Sequence, residues 1–227
     1  MALLDISWTT IIIIILLVVV GYFIWSMVTS SSSSSSTGTT KLATITTLNI
    51  TPSNSNSFTF STWIAINKWG NGGGNLVSIG SDATTFALKL GTAINKLYLS
   101  IGAAYTESTA IAVGLVPLQT WVSVIVSVNN GNSADIYING KLVKTIALTT
   151  TYSLPSGSVS VGGPSTAIDG YISTTYDNKS IGPQEAWKIY SSGYGGGGGS
   201  GIGDFFNKYK IRFAFVKDNV ELSRLDI

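Results

Sequence analysis

The chain has 227 residues, 11% of them charged, with a formal net charge of +2 and no basic run of the kind that binds nucleic acid by neutralising phosphates. It contains neither cysteine nor histidine, which excludes cysteine nucleophiles, Ser-His-Asp triads, His-ligated zinc and histidine general bases and suits a protein that needs no oxidising compartment. Ser, Thr, Asn and Gly replace charge on the polar surface, while 11% aromatics with many Val, Ile and Thr favour strands over disorder.

The first element is apolar. Ile6 to Val28 carries no charge, and a helix of that length is roughly 34 Å long, enough to cross a bilayer core of ~30 Å. Trp8 and Trp25 stand near its ends, with Tyr22 beside the second, and such rings prefer the headgroup level. Ile11, Ile15 and Val20 belong to the lipid-facing run, whose β-branched residues are tolerated in a helix where lipid offers the backbone no other partner. A cleaved signal peptide would need a basic n-region and a shorter apolar core; "MALLD" supplies neither Lys nor Arg. Residues 1–29 therefore read as a single transmembrane anchor. Residues 30–41, a serine run followed by Thr-Gly-Thr-Thr-Lys, read as a linker.

Residues 42–194 show short alternating runs separated by turn residues. "SFTFSTWIAI" places Phe58 and Phe60, then after a shift Trp63 and Ile64, in a strand. "TWVSVIVSV" alternates Val122, Val124, Val126 and Val128 with Ser123, Ile125 and Ser127. "ADIYINGKLVKTIAL" carries Asn139-Gly140 between two apolar runs, the signal of a type I′ hairpin turn. About ten to twelve such strands with frequent turns predict an antiparallel two-sheet, all-β sandwich or jelly roll. "SIGPQEAWKIYSSG" breaks the pattern: Pro183 suits a first helical position, Glu185 a first turn, and Gly193 a stop. It predicts one or two helical turns lying on the sandwich through Ala186, Trp187, Ile189 and Tyr190.

The order of Trp121, Tyr137, Asn139-Gly140, "SVSVGG", Asp169-Gly170 and the short helix resembles the concanavalin A-like, laminin-G-like family. That resemblance covers residues 42–194 and implies two packed antiparallel sheets. In the chemistry of the residues alone, Trp63 and Trp121 read first as core aromatics.

Glycosidases need two facing carboxylates; here Glu107 and Asp135 each stand alone, so no catalytic residue is assigned. The resemblance implies a calcium option, for which Asp82, Asp169, Asp177 and Asn178 are the candidates, although their spacing does not demand a site; no cofactor is expected. Trp69 in "NKWGNGGG" and Tyr105 are the candidates for glycan binding, as aromatics on loops. Asn49 and Asn178 fit glycosylation sequons, which count only in a secretory lumen.

Residues 195–203 form a glycine linker. It leads to an aromatic tail, residues 204–227, with Phe205, Phe206, Tyr209, Phe213 and Phe215. The tail reads either as a last hairpin completing the sandwich or as an arm docking on a partner. The whole order of segments resembles membrane-anchored jelly-roll proteins in virions of large icosahedral double-stranded DNA viruses. That resemblance implies a non-enzymatic minor capsid protein at the interface of internal membrane and capsid shell, with a lipid bilayer and neighbouring capsid proteins as partners. The other expectation is a membrane-anchored, lectin-like module that binds glycan.

Overall fold

The structure is a computed structural model; it describes Val18, Tyr22, residues 34–50, 56–70, 72–163 and 168–195, and the backbone of 212–217 and 220–226. The chain divides into two compact units. Ser33–Gly196 is the larger; Met1–Ser32 with Gly197–Ile227 is the other.

The larger unit is the expected antiparallel sandwich. Its first sheet contains β1 (Ser34–Ser36), β2 (Thr40–Lys41), β4 (Phe58–Lys68), β9 (Trp121–Asn129), β10 (Ser133–Ile138), β11 (Lys141–Ala147) and β13 (Asp169–Asp177). They are ordered β1-β13-β4-β9-β10-β11, with β2 also on β13. The second sheet, ordered β3-β12-β5-β6-β7-β8, contains β3 (Thr46–Ile50), β5 (Gly74–Ile79), β6 (Phe86–Leu90), β7 (Lys96–Ile101), β8 (Ile111–Leu115) and β12 (Gly157–Val161). A 3-10 turn, Asp82–Thr84, leads into β6.

Alternation decides what enters the core. Phe58, Phe60, Ile64 and Ile66 of β4 and the four even-numbered valines of β9 point inward, against Phe86, Leu88, Leu97, Leu99, Val159 and Val161 of the second sheet. The shift expected in β4 is absent: β4 runs unbroken, and Thr62 fills the inward slot by pairing its hydroxyl with that of buried Thr174, 3.2 Å away. Trp63 consequently faces outward. So does Trp121, which precedes inward Val122, and both rings are half-buried on the outer face. The core assignment of these two tryptophans is thereby corrected.

The Asn-Gly hairpin forms as expected. Asn139 and Gly140 hold φ of 50° and 72°, the left-handed pair that a type I′ turn requires. Helix α1 (Pro183–Ser191) then packs over the turn: a Cβ on Gly140 would lie 2.9 Å from the Trp187 ring and from Tyr190 Cβ. Beneath α1, Ile125, Tyr137, Ile181 and Ala186 form a second small core, with Ile189 against it. Ser127 Oγ fixes the approach to the helix, donating to Ile181 O (3.1 Å) and accepting from Ile181 N (2.8 Å). Trp187 is exposed rather than seated on the sheet.

The serine linker is also corrected in part. Ser34, Ser35 and Ser36 pair with Asp177, Tyr176 and Thr175, and Thr40-Lys41 pair with Ile172 and Tyr171. Serine has little strand preference, but the open edge of β13 offers backbone partners to any chain passing along it. Residues 34–41 therefore belong to the sheet.

Of the anchor, Trp8, Ile11, Ile15, Val20 and Trp25 lie outside the described residues; Val18 and Tyr22 are helical and exposed. Among the described residues no helix is long and apolar enough to cross a membrane. Most of the glycine linker, Phe205, Phe206 and Tyr209 also lie outside the described residues. In the second unit, β14 (Arg212–Lys217) and β15 (Val220–Asp226) form an antiparallel hairpin, with Phe213 opposite Leu225 and Phe215 opposite Ser223. Among the described residues these two strands pair only with each other.

Candidate functional site

The two loop aromatics singled out for glycan binding are far apart in sequence, yet their loops meet at one turn. Residues 91–95 connect β6 to β7. Thr92 O accepts from Gly72 N at 3.0 Å, which ties in the loop that carries Trp69. Glu107 Oε2 accepts from Thr92 N (3.0 Å) and Thr92 Oγ1 (2.8 Å), which ties in the loop that carries Tyr105. Gly91 makes the approach possible: a Cβ there would sit 2.8 Å from the Tyr98 ring and 3.0 Å from Glu107 Oε1.

Strand pairing adds groups the sequence reading missed. Lys89 and Tyr98 are cross-strand partners on β6 and β7, on the face opposite the inward Leu88, Leu90, Leu97 and Leu99. Lys89 Nζ stands 4.5 Å from the centroid of the Tyr105 ring, and Lys96 Nζ 5.9 Å from that of Tyr98. The first distance is well within cation–π range, while the second is at its limit. Hydrogen bonds from the Thr92 side chain and backbone, with a further one from Tyr98, hold Glu107 below the usual carboxylate range against the opposing effect of burial. Burial, then the Glu107 charge and Tyr98, push the Tyr105 phenol up to about 12. The turn thus presents two neutral phenols, two ammonium groups and one fixed carboxylate.

Trp69 is not an exposed platform. Its ring is half-buried against the main core, and its indole N–H is buried without a partner.

The two acids weighed for hydrolysis do not share a site. Glu107 is held ionised, unsuited to a general acid, and Asp135 lies on β10 in the other sheet, bonded by Thr145 Oγ1 at 2.6 Å. The two carboxylates stand on different sheets with separate partners, whereas glycosidase pairs face one bond. The calcium candidates do not converge either. Asp169 and Asp177 begin and end β13, so they stand roughly 27 Å apart at strand rise. Among the described residues no group of three acids is placed to hold a metal. Of the sequon residues, Asn49 is exposed and accepts from Ser158 Oγ at 2.9 Å.

A second aromatic set lies on the outer face of the first sheet. The Trp121 and Tyr194 rings stack at 3.5 Å and 10°, Trp63 and Tyr190 at 6.1 Å and 18°, and Trp187 lies 5.5 Å from Tyr190. The signal in sequence was parity: Trp63 is out of phase with Phe58 and Phe60 if the strand is unbroken.

Residues 36–177 match a laminin G-type model of the concanavalin A-like lectin/glucanases superfamily. The chain belongs to that superfamily. No curated protein matches it in sequence. Among solved structures, members of the botulinum neurotoxin group share the fold. One is the binding domain of neurotoxin DC in complex with SialylT (TM-score 0.52, 18% identity, 65% of this chain and 39% of that one). Another concerns neurotoxin type C, whose cell entry depends on interaction with two ganglioside molecules (0.52, 19%, 72% and 47%). A third is the DC binding domain in complex with rat synaptotagmin II (0.54, 16%, 72% and 47%). The chain spans less than half the length of each, and at these identities the likeness is one of fold.

Proposed function

We propose that the chain is a non-enzymatic, lectin-like module that binds carbohydrate at the Thr92 turn and is tethered to a membrane by residues 1–29. The observation that carries this is the convergence of the Trp69 and Tyr105 loops on Thr92, which gathers Lys89, Tyr98, Tyr105 and Glu107 on one surface. Tyrosine rings offer faces for sugar C–H groups, and the fixed carboxylate and ammonium groups offer partners for hydroxyls, the usual composition of a small-ligand site. Superfamily membership supports the same reading, as do the neurotoxin domain in complex with SialylT and the neurotoxin whose cell entry depends on two gangliosides. The virion-tether expectation draws no support from either comparison, so carbohydrate recognition takes precedence over it.

The full chain, held in lauryldimethylamine oxide micelles because that detergent has no sugar headgroup, is to be applied to a glycan array. Specific binding is expected, unchanged by EDTA, and Tyr105→Ala should weaken it about tenfold, or ~1.4 kcal/mol. Absence of any glycan binding, or Tyr105→Ala and Lys89→Ala variants that bind like the wild type, would exclude this role for the turn.

The tether rests on the length and Trp-flanked ends of the Ile6–Val28 run, with Val18 and Tyr22 helical within it. Deleting residues 1–29 should move the protein from the carbonate-washed membrane pellet to the supernatant. A truncated protein still in the pellet would show that another segment holds it there.

A further inference from the structure

We propose that the outer face of the first sheet carries a second sugar platform, formed by Trp63 and Trp121 and closed by Tyr194. It goes beyond the Thr92 turn and stands on a different sheet.

Trp63 and Trp121 sit on adjacent strands on the same face, out of register by one pair: Trp63 opposes Ser123, and Trp121 opposes Ala65. Two indoles therefore flank a floor made by a methyl group and a hydroxyl. Tyr190 of α1 stacks on Trp63 and holds one wall in place, the preorganisation a binding surface needs.

Ser123 Oγ is the second observation. Ser123 is 1% exposed, and its hydroxyl has no hydrogen-bond partner. Buried hydroxyls nearly always have one. This one lies between the two tryptophans, where the hydroxyl of a bound sugar would supply it.

The third is what covers the platform now. The Tyr194 ring lies flat on Trp121 and edge-on to Trp63 at 6.2 Å, the place a pyranose ring takes when it stacks on indole. Its hydroxyl bonds to Thr39 Oγ1. Just before this tyrosine, Gly193 N–H bonds back to Tyr190 O at 2.9 Å. Tyr194 lies between Gly193 and Gly195, at φ of 77° and 80°, and a Cβ on either glycine would meet nothing within 4 Å. More glycines follow. A ring on such a tether is displaced by turning two permissive residues, without unfolding a strand or helix.

Ligand class follows from the surroundings. Tyr171 opposes Ala65 and Ser173 opposes Trp63 on the third strand of this face, so the positions next to the floor are uncharged; Lys41 stands one strand further out, opposite Tyr171. The platform takes a neutral hexopyranose, its C–H face on Trp121 and one hydroxyl on Ser123 Oγ.

The test uses the full chain in lauryldimethylamine oxide micelles on an array of neutral hexopyranose oligosaccharides. If Tyr194 covers the platform nine-tenths of the time, Tyr194→Ala should raise binding about tenfold, since apparent affinity scales with the open fraction. Adding Trp121→Ala should abolish that gain, and adding Ser123→Ala should reduce it. Thr39→Ala and Tyr194→Phe, each of which removes the latch hydrogen bond and keeps the stacked ring, should both give a smaller gain in the same direction. The proposal is overturned if neither Tyr194→Ala nor Thr39→Ala binds better than the wild type, or if the gain survives Trp121→Ala. Tyr105→Ala should leave the gain intact, so failure at the Thr92 turn and failure here are told apart.

Discussion

Replacing Phe60 with alanine is expected to destabilise the sandwich by about 4 kcal/mol and to lower its melting temperature by roughly 8–16 °C. Phe60 is 1% exposed, and its ring joins both sheets. It lies 4.8 Å from Phe86 of β6 in the second sheet, 5.3 Å from Tyr176 of β13 and 5.8 Å from Phe58 of its own strand. Truncation leaves a void between three strands, β4, β6 and β13, none free to close it, because each is paired on both sides. Phe60→Leu, which keeps most of the volume, should cost about 1–1.5 kcal/mol. Thermal melts followed by circular dichroism measure both. A Phe60→Ala protein melting within two degrees of the wild type would show that the sheets are held together elsewhere.

The second large effect comes from a single added carbon. Gly170→Ala should cost about 3 kcal/mol and lower the melting temperature by roughly 6–12 °C. The cause is proximity, since Gly170 holds no positive φ. Its Cβ would fall 2.2 Å from Ala65 O and 3.1 Å from Ile66 Cα, all backbone. Ala65 cannot retreat, since β4 is paired with β13 on one side and β9 on the other. The ladder is already bulged between Asp169 and Gly170 to admit this approach, as bulges do where chains come close. Gly182→Ala is the control: the N-cap glycine is extended at φ −98°, and a Cβ there meets nothing, so only the capping cost of alanine, about 0.5–1 kcal/mol, is expected. Equal melting temperatures for the two alanine variants would refute the steric account.

The elements legible in the sequence were those written in local chemistry. Asn139-Gly140 announced its turn because few other pairs accept two left-handed residues. The valines of β9 announced a buried face by alternation, and Pro183 and Gly193 bracketed α1. What escaped was decided at a distance. Thr62 does not read as a core residue until Thr174 arrives from β13 to share its hydroxyl, and missing it turned Trp63 the wrong way. Serines became strand only because the edge of β13 was open.

The site divides in the same way. Tyr105 and Trp69 stood out as loop aromatics, but Lys89 and Tyr98 joined them through strand pairing, and Thr92 through the fold of a turn. The spacing of Asp169 and Asp177 demanded no shared site, and β13 places them at its two ends.

The edge strip laid along β13 has a mechanical meaning. A pull on the chain ahead of Ser34 loads the strip from one end, so its rungs open one after another, Ser34 from Asp177 first and Lys41 from Tyr171 last. The side chains released are small and polar except for the lysine, and little of the core goes with them. Opening as far as Lys41 releases eight residues, roughly 27 Å of slack, and passing Thr39 undoes its bond to Tyr194. Leu42 is the stop. It is buried in the core and donates its N–H to Gly170 O at 2.9 Å. The domain therefore yields by a fixed length under tension before the sandwich itself bears the load.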